Sequence, residues 1–354
     1  MAVNLLSKYG QKLLDPFYQA SFLAGKTGAE YDFTGVKEIR LIDPILPEIV
    51  DYNRTASGNR YGIPKEIQDV AYTLMMTQDK SFVGIIDKGN NLEQMNLKQA
   101  GKIVNRTMRE KVTPWMENYA VNKFVQGAGE VVGVAAIGTI TAAKALEAVS
   151  NAEIALSNKY VPREGRYMFV RNTFYGALRA ADAIIGNDVL GRKVIEKGVV
   201  GSLYGFDVVP LPDSAFPTGV YALIFQKRAT LMPIKLYETK IHQDPPGISG
   251  HQLEGRFLCD AFIVPQLRNA VYVIADNSVV TATPTITISE GKATIVSTGA
   301  TKIWYTTDGS DPKDSTTKLQ YSAAVTVADK YDVRAYAETT GKVTSGVAKA
   351  TNMQ

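Results

Sequence analysis

The chain has 354 residues, 45% of them hydrophobic and 21% charged, a balance that excludes a disordered chain and suits two or three globular domains. Its formal charge of +4 is evenly spread, with 8 basic and 7 acidic residues from Asn277 onward and 31 and 28 before it. Neither part has the basic excess of a dedicated nucleic-acid binder, whose affinity rests on neutralised phosphates.

A single cysteine, Cys259, excludes an internal disulfide and a cysteine-based zinc site. Its neighbours Phe257, Leu258, Ala261 and Phe262 predict a small buried apolar residue. The two histidines, His242 and His251, flank the turn Pro245-Pro246-Gly247 and read as loop residues, which leaves little for acid–base work near neutral pH. The first stretch lacks a charged-then-apolar pattern and is interrupted by Asp15-Pro16, so it is not expected to act as a leader. The apolar run from Val131 to Ala143 is Gly-rich and shorter than the ~18 residues that span a bilayer. These features predict a soluble protein made inside a cell, with no membrane partner.

In chain order, residues 1–35 read as an N-terminal arm: an amphipathic piece ending at Pro16, then a Gly-rich stretch. Residues 36–89 alternate apolar and polar around a turn-rich centre, Asn53 to Gly62, and predict a long two-stranded excursion. Arms of roughly 20 residues would reach about 60 Å, and a hairpin of that size cannot bury its own apolar face. Asn90-Asn91 then opens a helical pattern running through Met95, Ile103, Met108, Val112, Trp115 and Phe124, which predicts a spine helix over 90–128. Pro114 removes a backbone donor and predicts a kink near Lys111.

A compact α/β region follows over 129–226. It holds an Ala-rich helix over 139–159, a buried strand at Tyr167-Met168-Phe169-Val170, a helix over 174–185, two short strands about a glycine turn in 199–209, and a strand at Tyr221–Phe225. Residues 227–276 return as extended apolar segments, including Ala261–Val264 and Val271–Ile274. At Asn277 the composition breaks. Thr becomes dense and short β-branched runs are parted by turns, which predicts an all-β sandwich over 279–354 that folds on its own.

Three motifs bear on chemistry. Ala20 with Gly25-Lys26-Thr27 fits the loose phosphate-loop pattern, but a Pro-broken piece precedes it and Gly28 through Gly35 cannot open a helix, so a nucleotide site is not expected. No nucleophile elbow or paired-carboxylate signature is present, and no catalytic, cofactor or metal residue is assigned. The most specific motif is Ile303-Trp304-Tyr305-Thr306-Thr307-Asp308-Gly309-Ser310-Asp311-Pro312, in which Asp308-Gly309 and Asp311-Pro312 build a tight inter-strand loop.

With Tyr321 and Val333-Arg334-Ala335-Tyr336-Ala337, that motif resembles the small sandwich appended to chitobiase-like glycosidases and many bacterial surface proteins. The resemblance covers the last fifth of the chain and implies an accessory module without the hydrolase. Its candidate glycan contacts are Trp304, Tyr305, Asp308 and Asp311.

The order arm, β-excursion, spine helix, axial α/β domain and return strands resembles the capsid fold of tailed phages and herpesviruses. The segment Val199-Val200-Gly201-Ser202-Leu203-Tyr204-Gly205-Phe206-Asp207-Val208-Val209 looks like a Gly-hydrophobic-aromatic signature of such proteins. The resemblance implies an α+β major capsid protein and no enzyme. It further implies pentamers and hexamers, an icosahedral shell around double-stranded DNA bound without sequence specificity, portal or scaffold partners, and a place in the virion after synthesis in the host cytoplasm. The terminal sandwich is expected to be displayed outward. The alternative is a surface or adhesion protein whose terminal module binds glycans.

Overall fold

The computed structural model describes residues 21–31, 38–44, 49, 51–55, 57–62, 64, 66–67, 69–93, 98–136, 138–180, 201–328 and 332–352. Most of the arm therefore lies outside the described residues. Its last stretch does not extend freely: Phe22 and Leu23 are buried in the main core.

Strands β1 (Glu38–Pro44) and β2 (Asp69–Met75) form an antiparallel hairpin in the register Glu38↔Met75 to Pro44↔Asp69. The hairpin has its own anchorage, because Leu41, Tyr72, Leu74 and Met76 pack with Leu231 and Val264 at its base. Strand β3 (Gln78–Asp87) follows. The short helix α1 (Lys88–Glu93) is separate from the spine. The amide of Asn91 explains the break: it accepts from Lys98 N at 3.0 Å and donates to Lys98 O at 3.2 Å, replacing the bonds a continuing helix would make.

The spine runs from α2 (Ala100–Thr107) through a π-helical stretch, Met108–Val112, into α3 (Thr113–Gln126), about 40 Å at ~1.5 Å per residue. Pro114 stands in the first turn of α3. A proline ring inside a helix clashes with the carbonyl four residues earlier, and the widened π turn relieves that clash. The expected kink site is thus a π stretch.

The axial region comprises β4 (Glu130–Val134), α4 (Ala142–Asn158), β5 (Arg166–Arg171), α5 (Asn172–Ala180), β6 (Gly201–Leu203), β7 (Phe206–Leu211) and β8 (Val220–Gln226). Thr141 caps α4 by accepting from Lys144 N. The β6–β7 turn uses Tyr204 at φ 50° and Gly205 at φ 81°, the left-handed pair that a two-residue hairpin turn requires. The chain then adds β9 (Thr230–Leu231), β10 (Ile234–Gln243), β11 (Gly250–Cys259), β12 (Phe262–Ile263) and β13 (Val271–Asp276).

Two pairings differ from the sequence expectation. Strand β3 does not extend the β1–β2 hairpin. It pairs antiparallel with β11, and with β10 forms a three-stranded sheet whose inner face, Ile86, Leu253 and Phe257, covers Val104, Met108, Val112 and Met116 of the spine. Among the described residues the paired arms of the excursion are seven residues each, Glu38–Pro44 and Asp69–Met75, against an expected twenty or so. Strand β13 likewise does not join the β10-β11-β3 sheet of the return segment. It lies between β4 and β8 in a six-stranded axial sheet, order β4-β13-β8-β5-β7-β6. Its continuous apolar run suits a strand covered on both faces: Val271, Val273 and Ala275 join the α3 side, while Tyr272 and Ile274 join the α4 side.

The terminal module holds β14 (Thr285–Ser289), β15 (Lys292–Val296), β16 (Lys302–Thr306), β17 (Leu319–Gln320), β18 (Val325–Thr326), β19 (Asp332–Glu338) and β20 (Ala348–Thr351). They form two sheets, β14-β15-β18 and β17-β16-β19-β20, around Ala293, Ile295, Tyr305, Val333 and Ala335. The fold is mixed α+β with an all-β terminal sandwich.

Candidate functional site at the module junction

The sandwich is not tethered at a distance. The 3-10 helix Pro265–Ala270 before β13 carries Arg268, which is 3% exposed. Its guanidinium donates to Asp311 and Asp314 of the module and to the carbonyl of Gly127 at the end of the spine helix. Burial opposes the Arg268 charge, but the two carboxylates beside it hold its pKa above the ordinary arginine value. Asp311 N donates to Tyr72 Oη of the hairpin base at 3.0 Å.

Lys313 completes the junction. Its Nζ donates to Ala128 O at 2.7 Å, Gln126 O at 3.0 Å and Thr344 Oγ1 at 3.3 Å, and it lies over the Tyr336 ring. Burial, then the Arg268 guanidinium, pushes Lys313 down to about 7 against the pull of Asp311, Asp314 and Glu338. Burial raises Asp314 above the usual carboxylate range. Thr344 Oγ1 donates to Gln126 O at 2.6 Å, and Val347 N donates to Gly129 O at 3.0 Å. Gly346 comes so close to β4 that a Cβ would lie 2.9 Å from Gly129 O. Val343 belongs to the main body core.

Of the candidate glycan contacts, Asp311 is buried at this junction and Tyr305 is buried in the sandwich core. Trp304 is half-buried beneath Lys318 Nζ, 5.5 Å from its ring, on the same strand face as Tyr336. Asp308 accepts from Ser310 N, Ser310 Oγ and Thr317 Oγ1 within its own loop. The four are thus not gathered on one open surface. Sequence reasoning missed Arg268, Lys313, Thr344 and Tyr72. The one available signal was the alternation of charge in Asp311-Pro312-Lys313-Asp314 at a turn.

Elsewhere, Lys26 of the phosphate-loop pattern is buried and donates to Phe22 O at 2.8 Å. The histidines lie on paired strands rather than in a loop, with His251 opposite Gln243 and His242 Nε2 3.2 Å from Glu254 Oε2. Cys259 is buried, and burial together with Asp260 raises its thiol to about 11. Among the described residues no group of three His, Cys, Asp or Glu side chains could hold a metal ion, and no helix is long and apolar enough to cross a membrane.

A second surface stands out on the hairpin. Ile42, Ile49, Tyr52, Tyr61 and Ile67 are exposed, Tyr61 at 85%. Tyr52 and Tyr61 meet edge to face at 4.9 Å, and Asn53 N donates to Arg60 O at 3.0 Å.

Solved phage structures match this architecture. A structure of Mycobacterium phage Che8 matches at TM-score 0.58 with 16% identity, over 77% of this chain and 97% of the other. The capsid structure of cyanophage P-SCSP1u matches at 0.60 with 14% identity over 77% and 93%, and the mature capsid of bacteriophage PhiM1 at 0.60 with 10% identity over 77% and 92%. The body has a phage capsid fold. The matches span nearly the whole length of those proteins and leave unmatched a share of this chain about the size of its sandwich. The sandwich matches the family described as Fn3 associated over residues 293–351. No curated protein matches the chain.

Proposed function

We propose that this chain is the shell-forming subunit of a tailed-phage capsid, a structural protein without enzymatic activity. The observation that carries the reading is the match of the capsid-fold body along nearly the full length of phage capsid structures. The subunit would assemble as pentamers and hexamers of an icosahedral shell in the virion. That shell encloses double-stranded DNA by volume rather than by sequence recognition, and meets portal or scaffold proteins at its special positions. The small, evenly divided charge accords with enclosing DNA without gripping it. The near neutrality of the terminal sandwich gives it no reason to face DNA, and we place it on the outer surface.

The hairpin supports the assembly role physically. Its base is anchored, yet its distal half exposes large apolar side chains that cost free energy in water and gain it when a neighbouring subunit covers them. Closed shells repeat such contacts by symmetry. Replacing residues 54–62 with a short Gly-Ser turn tests this directly. A soluble, folded subunit that no longer closes shells is expected; normal shells from the variant would remove the hairpin from the assembly contacts.

A further inference from the structure

An α-helix leaves its last carbonyls without partners inside the helix, and a helix end that is buried needs them from elsewhere. At the end of α3, Gly127 N donates to Lys123 O and Ala128 N to Val125 O, while Gln126 O and two carbonyls just past the helix, Ala128 O and Gly129 O, take donors from the terminal module. Lys313 Nζ and Thr344 Oγ1 both donate to Gln126 O, Lys313 Nζ also donates to Ala128 O, and Val347 N donates to Gly129 O. Between them, Gly127 O accepts from Arg268 of the body, whose own charge is balanced by Asp311 and Asp314 of the module. The backbone of Asp311 reaches the hairpin base at Tyr72, and Val343 is seated in the main core.

We propose that the module is a clasp for the capsid-fold body: it caps the C-terminal end of the spine helix and ties that end to the axial sheet and the base of the hairpin. The sandwich makes this contact with its β16–β17 loop, Asp311 to Asp314, and its β19–β20 loop, Val343 to Val347; Lys313 of the first lies over Tyr336, which is 4% exposed on the outer face of β17-β16-β19-β20. The opposite sheet, β14-β15-β18, turns its outer face away from this contact. Its outward positions Thr285, Thr287, Ser289, Thr294 and Thr326 are exposed, so any display role belongs to that face. Sequence composition alone predicts the reverse, a self-contained appendage whose loss leaves the body intact. The clasp concerns the single subunit and does not depend on whether that subunit builds a shell.

Hydrogen exchange followed by mass spectrometry on the full chain tests this. The double variant Lys313→Met with Thr344→Val removes both module side chains that donate to Gln126 O, and Thr294→Ala serves as a control on the opposite sheet. The clasp predicts that exchange rises about tenfold or more in peptides covering Phe124–Gly129 and Asp69–Met75 in the double variant and not in the control. If the double variant does not fold, Thr344→Val alone is read in the same way with a smaller rise. Acceleration confined to the module, with the helix end and hairpin base unchanged, would show an appendage and overturn the clasp. So would exchange unchanged throughout the chain.

Discussion

Lys313 shows how one residue couples the junction to pH. Its folded pKa is about 7, against an ordinary value of 10.5. Between these values the unfolded chain holds a proton that the folded chain does not, so the contribution of Lys313 to stability grows as pH rises and is lost as pH falls through about 7. Arg268, Asp311, Asp314, Glu338 and Tyr336 face or neighbour the same ammonium. Urea unfolding of the native chain is expected to show a rise in stability between pH ~7 and ~10 that Lys313→Met flattens. Met would also lower stability at every pH, because it leaves Gln126 O and Ala128 O short of a donor. An unchanged slope in the variant would show that Lys313 keeps an ordinary pKa. At this scale the sequence was legible where chemistry is local: a lone Cys259 among apolar neighbours is buried, as expected. It was not legible where partners are remote. Arg268 and Asp311 lie 43 residues apart, and each reads in isolation as a polar surface residue.

At the scale of elements, periodicity located most strands and helices but did not assign their partners. The alternation read over 81–86 marked a strand, which the structure extends to Gln78–Asp87, yet period two says nothing about which strand lies beside it. The partner, β11, enters the chain more than 160 residues later, so β3 was joined to its nearest neighbour instead. The partners of β13 were missed for the same reason. Pro114 was readable as a helix defect because its chemistry is local, while its resolution into a π stretch depends on the packing of Met108 and Val112 beneath the sheet. The contact between the loop before β20 and strand β4 yields a prediction at this level. Gly346→Ala places a Cβ 2.9 Å from the backbone oxygen of Gly129, which a rigid strand cannot easily move aside. A loss of roughly 1–3 kcal/mol in chemical denaturation is expected, as for overpacked interiors; a neutral substitution would show that the module sits further from β4 than the structure has it.

For the whole molecule, the order of elements and the composition break at Asn277 were enough to point to a capsid-fold body followed by a sandwich. How the two parts are joined was not visible. A sharp change in composition suggests independence, but the change reflects β-sandwich propensities and carries no information about the face that docks. The docked face is polar and charged, and its residues stabilise the junction only because Arg268, Asp311 and Lys313 find partners there. Isolated charges in such a place would be costly.

Electron microscopy of the expressed, purified full chain, alone and with a candidate scaffolding protein, tests the central claim most directly. Closed shells or rings of five and six subunits, with the hairpin of each subunit lying on a neighbour, are predicted. A monodisperse monomer that persists at high concentration under both conditions would contradict it.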